Sequence, residues 1–405
     1  MNKTVSAAKQ AGIIGIISVL SYVANYFLRN MLGVLTPLML KNAFYSKEYV
    51  ALLSSVYMIA YAAGQLLNGV LGDIVKPKGM VLIGLVFAGA ASALFPFLPY
   101  RVLQIACFLI FGYALSMVRG PLMKIISENT EPRFARVICV FFSFSSFAGP
   151  LIAGLLAMLF QWQQAFVVAG VMTVVIAAGA YTALTVLEKR DMIHFHSLRG
   201  AGVKEMFGVF KIEKFTFYLM IACLVEIAAA SVSFWIPTFL TEYVCLNETK
   251  SYFVFSVISL MRALIPFAAL AVFKLFGERD ILIMRCAYMM SVAAFAVMLF
   301  IPAGMGTVVF LLIALLMNSL VSSLLWSIYI PSLGKTGRVS SVNGILDCAG
   351  YIAAGAATSV FAGVVVSIGW HGLIVAWCCI PALGLIATLL CGKKKQKSTV
   401  SLPSA

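Results

Sequence analysis

Between residues 13 and 40 the chain carries one charged side chain, Arg29, in a run otherwise made of apolar and small uncharged residues. A helix needs about 20 such residues to cross the hydrocarbon core of a bilayer. Within that core every backbone N–H and C=O has to be satisfied inside the protein, which leaves helices and closed barrels as the only spanning forms. Runs of this kind recur along the chain. Breaks in hydropathy mark twelve of them, at 13–38, 50–72, 80–98, 102–124, 137–160, 164–187, 215–240, 251–274, 281–302, 305–330, 340–367 and 371–391.

Composition agrees. Of 405 residues, 62% are hydrophobic and 11% charged, against roughly 25% charged in a soluble domain. The expected class is therefore an all-α membrane protein with no separate soluble domain. The first run is too long for the apolar core of a signal peptide and lacks an A-x-A-like site, so it reads as a retained first span.

Lys and Arg fix the expected orientation. With both termini in the cytoplasm, 22 of the 29 basic residues fall on the inner side and four on the outer, with Arg29, Arg119 and Arg262 left inside spans. This is the positive-inside bias. It also accounts for the net charge of +15 without nucleic acid as a partner, since anionic lipid headgroups suffice. The longest polar segment, 188–214, divides the chain into an N-terminal six-helix bundle (1–187) and a C-terminal one (215–391), followed by a cytoplasmic tail (392–405). A 6+6 arrangement points to two repeated bundles around a midplane site.

Several functions lose support at once. No G-x-x-x-x-G-K-[ST] is present, so direct ATP drive is not expected. No Ser/His/Asp set or metal-ligand spacing supports catalysis, a cofactor or a metal, and the chain does not read as an enzyme. The nine cysteines are scattered through apolar runs and read as small packing residues. Of the three histidines, His194 and His196 lie in the central polar loop, where solvation explains them.

Ionisable residues inside spans cost roughly 2.5–3.5 kcal/mol each at a span centre and normally face a bundle interior or a wet cavity. Five are expected here: Arg29, Arg119, Glu226, Arg262 and Asp347. Tyr22, Tyr26 and Arg29 follow i, i+4, i+7 and share one helix face, with Asn25 beside them. Phenols, an amide and a guanidinium are unsuited to lipid and suit a wet cavity that binds an oxyanion, because guanidinium offers a planar bidentate fork. Arg29 snorkelling outward or pairing with an acid is the competing reading.

The stretch NGVLGDIVKPKG carries Gly69, Asp73, Pro77 and Lys78 in the order G-x-x-x-D-R-x-x-P-[RK], with Ile74 in place of the arginine. It resembles the span 2–3 signature of the major facilitator superfamily. Gly69 would allow close helix approach, and Asp73 would cap a helix end or pair with a base. SYVANYFLRN resembles the first span of the organophosphate:phosphate antiporters, with Tyr22, Tyr26 and Arg29 matching Y-x-x-x-Y-x-x-R. NGILDCAGY, with Gly344, Gly350 and Tyr351, resembles that family's span 11; Gly369-Trp370 and Trp235-x-Pro237-Thr238-x-Leu240 resemble two further segments of it. Gly149-Pro150 resembles the superfamily's antiporter motif in span 5, and also suits plain packing and kinking.

The resemblance implies the two-bundle major facilitator fold, with spans 1, 4, 7 and 10 lining the route. It departs from the family at three places: Ala229, Ser145 and Gln65 stand where its span 7 arginine, span 5 histidine and span 2 lysine would fall. Gln65 also resembles the anion:cation symporters. Arg119 is then a second anion contact, an inner gate residue or a snorkelling anchor. Glu226 and Asp347 are proton carriers or structural partners of an arginine. Arg262 neutralises one of these acids or replaces the missing substrate arginine. Asn318, Trp326 and Tyr351 are further candidate substrate contacts.

The expectation is a secondary transporter of a small organic anion (a phosphate ester, phosphonate or carboxylate) by alternating access. It would act as an anion exchanger or a proton symporter, as a monomer among membrane lipids in the bacterial inner membrane. One alternative is a proton-coupled exporter of amphipathic compounds, in which Glu226 would matter more than Arg29. Another is a transporter-like anion sensor. Asn247-Glu248-Thr249 forms a glycosylation sequon in a predicted outer loop, too short and close to the membrane to argue for a glycosylating cell.

Overall fold

The computed structural model describes residues 7–41, 45–195 and 207–397. His196, in the central loop, lies outside them. The described chain is helical throughout: α1 (Ala7–Lys41), α2 (Lys47–Ile74), α3 (Pro77–Leu94), α4 (Arg101–Asn129), α5 (Pro132–Leu159), α6 (Trp162–Lys189), α7 (Phe215–Thr238), α8 (Glu248–Leu275), α9 (Asp280–Phe300), α10 (Met305–Leu324) and α11 (Val339–Lys397). Among the described residues nine stretches are long and apolar enough to cross a membrane. Large apolar side chains such as Val102, Met158 and Phe300 stand three-quarters or more exposed, a surface that water would not tolerate in such quantity and lipid favours.

Helix ends follow local chemistry. Ser46 caps α2 by accepting from Tyr49 N at 3.3 Å. Asn247 caps α8 by accepting from Lys250 N at 2.9 Å, so the sequon asparagine has a structural use. Pro77 and Pro132 open α3 and α5, where a missing N–H costs nothing. α11 is broken at Gly369, whose φ of 78° suits glycine and divides the stretch into two arms. α7 and α10 both run into π-helical turns, Phe239–Tyr243 and Leu325–Tyr329, a distortion often found at functional sites.

The chain forms two compact units. Unit 1 is Met1–Val209 with Ser327–Cys348; unit 2 is Phe210–Trp326 with Ala349–Ala405. In unit 1, α2 packs on α4, α1 on α5 and α6, and α3 on α4 and α6, with Ile330–Ser332 set against α4 and α5. Glycines allow the closest approaches. A Cβ on Gly69 would sit 2.9 Å from Gly344 Cα, and one on Gly149 would sit 2.6 Å from Tyr26 Cβ. In unit 2, α10 packs on α9, α8 and α7, around a core that includes Ile236, Phe239, Leu311 and Trp377. Trp377 is fully buried and donates from Nε1 to Ser231 Oγ at 2.9 Å.

Candidate substrate site

In unit 1, α1 presents its polar stripe to α2, α4 and α5. Tyr22 is buried, stacked on Phe142 of α5 at 3.7 Å between ring centroids, and edge-on to Tyr26 at 5.0 Å. Arg29 places its guanidinium carbon 5.7 Å from the Tyr26 ring centroid and 5.1 Å from that of Tyr61 on α2. Aromatic rings attract the cation, and its planar fork is of the shape that suits an oxyanion. Arg29 also lines a cavity of about 480 Å³ bounded by α1, α2 and α4, with Ser54, Tyr57 and Phe111 on its walls. Asn25 also joins two helices. Its Nδ2 donates to Leu115 O at 2.8 Å, tying α1 to α4.

The second arginine of this unit is held by an acid. Arg119 Nη1 donates to Asp347 Oδ1 at 2.5 Å, and Asn343 Nδ2 donates to Asp347 Oδ2 at 3.1 Å. Asp347 is almost completely buried. It lies within electrostatic range of Arg29 as well as Arg119, and Tyr61 lies within range of all three. Arg29, Arg119, Asp347 and the tyrosines therefore form one cluster, with two cations against one carboxylate.

Two of the departures from the antiporter pattern also belong to unit 1. Gln65 and Ser145 are buried, and Gln65 Nε2 and Ser145 Oγ have no hydrogen-bond partner among the described residues. A buried polar atom left unmatched costs about 1–3 kcal/mol, so both positions suit a solvent or ligand contact.

Below this cluster lies a second polar network. Asp73 accepts from Ser340 N at 3.1 Å and Ser341 N at 2.8 Å, capping the start of α11. Lys124 of α4 is wholly buried. Its Nζ lies 3.1 Å from Asp73 O, 3.5 Å from Asp73 Oδ1 and 3.9 Å from Glu128. The base that the signature places next to the aspartate, where this chain has Ile74, comes instead from α4. No sequence period signals that replacement. Lys78 pairs with Glu188, donates to Thr185 Oγ1 at 3.1 Å and sits over the Tyr181 ring. Pro150 lies inside α5, one residue after the Gly149 contact with Tyr26.

Unit 2 has its own charged pair. Arg262 of α8 donates from Nε to Ser319 Oγ at 3.2 Å and lies within electrostatic range of Glu226 on α7. A Cβ on Gly350 would meet Glu226 Cγ at 2.7 Å, so α11 passes directly over that carboxylate side chain. Asn318 Nδ2 reaches Val225 O at 3.5 Å, and Trp326 is buried in the π-helical turn that follows α10. Trp235 and Trp370, from two of the segments that resemble the antiporters, meet edge to face at 6.0 Å. Tyr351 is half-buried in the first arm of α11. Among the described residues no three His, Cys, Asp or Glu side chains gather as a metal site.

Solved structures share this architecture. The chain superposes on the E. coli fucose:proton symporter FucP with a TM-score of 0.74 and 14% identity, covering 96% of this chain and 99% of that one. A bacterial homologue of the iron transporter ferroportin, in an outward-facing state, gives 0.75 at 13% identity, covering 94% and 99%. The human organic anion transporter MFSD10 (TETRAN) gives 0.69 at 14%, covering 95% and 100%. No curated protein sequence matches the chain. The family model described as Major Facilitator Superfamily matches residues 18–357, and the chain belongs to that superfamily of multi-pass membrane transporters.

Proposed function

We propose that this transporter carries a small organic anion, a phosphate ester, phosphonate or carboxylate, by alternating access. The solved neighbours handle different cargoes, an organic anion in one and fucose with a proton in another, so the fold does not choose the substrate and the residues have to. The observation that carries the reading is Arg29, held over the Tyr26 and Tyr61 rings at the wall of a 480 Å³ cavity. Its cluster has more cation than carboxylate. An anion entering it meets a planar, fork-shaped donor.

Asp347 gives the coupling step. A substrate anion competes with Asp347 for Arg119, and a carboxylate released from its arginine in a dry site takes up a proton. Binding and protonation are then linked through one pair, and the ligand's differential affinity for the two states drives the change. This favours proton symport over exchange. Tyr22, Gln65 and Ser145 are further candidate contacts within unit 1; Tyr351, Asn318 and Trp326 are candidate substrate contacts of unit 2, and Glu226 with Arg262 is its candidate charge network. Gly69, Asp73, Lys78, Gly149 and Pro150 serve the helix movements. The chain has twelve spans in two halves, joined by the 188–214 loop, with both termini cytoplasmic, and works as a monomer in the bacterial inner membrane.

The test is an uptake panel in proteoliposomes with phosphate esters, phosphonates, carboxylates and a neutral sugar, each with and without an inward proton gradient. Gradient-driven uptake of one anion class, abolished in Arg29→Ala, supports the reading. Gradient-driven uptake of the sugar alone, or expulsion of amphipathic cations by a chain indifferent to Arg29→Ala, overturns it.

A further inference from the structure

Unit 2 contains a cavity of about 1320 Å³ that the transport reading does not use. It lies where α7 begins at Phe215, where α9 begins at Asp280 and where the apolar stretch Ser367–Cys391 ends. Two stretches long and apolar enough to cross a membrane and one shorter apolar helix thus have ends around it, as a site at a headgroup layer would need. One part of its wall is apolar, with Phe217, Met220 and Leu390; Met220 is 41% and Leu390 62% exposed. The other part is charged, with Glu213, Lys214, Glu278, Arg279, Asp280 and Arg285.

That charged wall is balanced, three acids against three bases, in a chain whose net charge is +15. Asp280 is already engaged, accepting from the Tyr218 hydroxyl and from Ile281 N. Arg285 is only partly satisfied. Its Nη2 donates to Thr388 O at 3.0 Å, while its Nε–H is buried with no partner among the described residues. Arg285 and the exposed Arg279 place two guanidiniums on this wall, a pairing that suits an oxyanion. Glu213 is an exposed carboxylate on the same wall, suited to a donor cation. An apolar floor, two guanidiniums and a carboxylate rim together match one amphiphile: a phosphodiester that carries acyl chains on one side and a primary ammonium on the other.

We propose that this cavity is a binding site for a phospholipid with an ethanolamine headgroup, its phosphate on Arg285 and Arg279 and its ammonium on Glu213. A choline headgroup has the same phosphate but no N–H to donate, and a glycerol headgroup has no cation for Glu213. The site therefore discriminates among lipids of equal chain length by headgroup alone.

The experiment is native mass spectrometry of the detergent-purified full chain, titrated with phosphatidylethanolamine, phosphatidylcholine and phosphatidylglycerol of identical acyl chains, and with free phosphoethanolamine. The expected result is one retained ethanolamine lipid, favoured about tenfold over either competitor, as one charge-assisted hydrogen bond at the low end of its range would give. Glu213→Gln should bring the ethanolamine-to-choline ratio to about one, while Arg285→Gln lowers binding of both. Arg285→Gln also removes the bond to Thr388; if it aggregates, the exposed Arg279→Gln carries the same test. Equal retention of the three lipids, or ratios unmoved by Glu213→Gln, overturns the proposal in favour of ordinary boundary lipid. Binding of free phosphoethanolamine as tight as that of the lipid overturns it in favour of a soluble ligand.

Discussion

The two units treat buried charge differently. In unit 1, Arg29 and Arg119 face one carboxylate, Asp347, and Arg29 rests on aromatic rings. In unit 2, Arg262 and Glu226 lie within range of each other, one cation to one anion. Both arrangements put ionised groups in a setting that would reject them singly. Only the first retains a cation surplus. On the proposed reading, the anion belongs to the unit 1 cluster. An arginine inside a span therefore has to be weighed together with the acids that the fold brings to it.

The largest way to break this comparison is to unbalance each pair in turn. Asp347→Asn leaves the Arg119 guanidinium buried against an amide and should destabilise the protein by about 3–5 kcal/mol, the usual cost of removing one partner of a buried ion pair. Saturating anionic substrate should recover part of that loss, because it binds the folded state and supplies the missing charge. Glu226→Gln should destabilise less and gain no more from substrate than the parent does. Thermal melting with and without the transported anion measures both. A reversed pattern, with substrate rescuing Glu226→Gln and not Asp347→Asn, would move the anion site to unit 2.

Next in size is the arginine contrast. Arg29→Lys keeps the charge and loses the planar fork, so substrate kcat/KM should fall about 10- to 100-fold, the worth of one to two charge-assisted hydrogen bonds. Arg262→Lys keeps the charge that lies within range of Glu226 and should lower uptake less than Arg29→Lys does. Initial rates of uptake in proteoliposomes compare them. Parity between the two variants would remove the distinction between the units.

How much of this was legible beforehand follows from the physics of each feature. The spans were legible because lipid imposes a long, uniform signal on sequence. The Tyr22, Tyr26, Arg29 stripe was legible because helical periodicity is local. The partner of Arg119 was not, since Asp347 stands 228 residues away and no pattern in one sequence reports a long-range pair. The resemblance could say only that Asp347 and Arg119 were each candidates. It also missed Lys124, which looked like one more inner-side lysine and is instead wholly buried between Asp73 and Glu128. A lysine so close to the end of an apolar run, five residues after Arg119, was the one available hint. Chain order assigns residues 327–348 to the second half, yet they cluster with unit 1, where Asn343 and Asp347 meet Arg119. The resemblance flagged Gln65 and Ser145 only as departures; their unmatched buried atoms required coordinates.

The smallest expected effect separates packing from movement in the stretch AGPLIAG. Two of its glycines differ in surroundings. At Gly149 an added Cβ would meet Tyr26 Cβ at 2.6 Å, Tyr26 C at 2.7 Å and Phe27 N at 2.9 Å, while at Gly154 nothing lies within 4 Å. The first contacts are to the backbone and Cβ of α1, which cannot swing aside as a side-chain tip can. Gly149→Ala should therefore push α1 from α5, cost about 1–3 kcal/mol and disturb the Tyr26–Arg29 geometry, raising the substrate KM. Gly154→Ala should stay within about 0.5 kcal/mol of the parent, as an unobstructed substitution does, with KM unchanged. Melting temperature and KM on the same preparations decide it. If both alanines melt like the parent but Gly149→Ala slows turnover at unchanged KM, the glycine serves the motion of α5, and the packing that links this stretch to the unit 1 cluster is not what holds Arg29 in place.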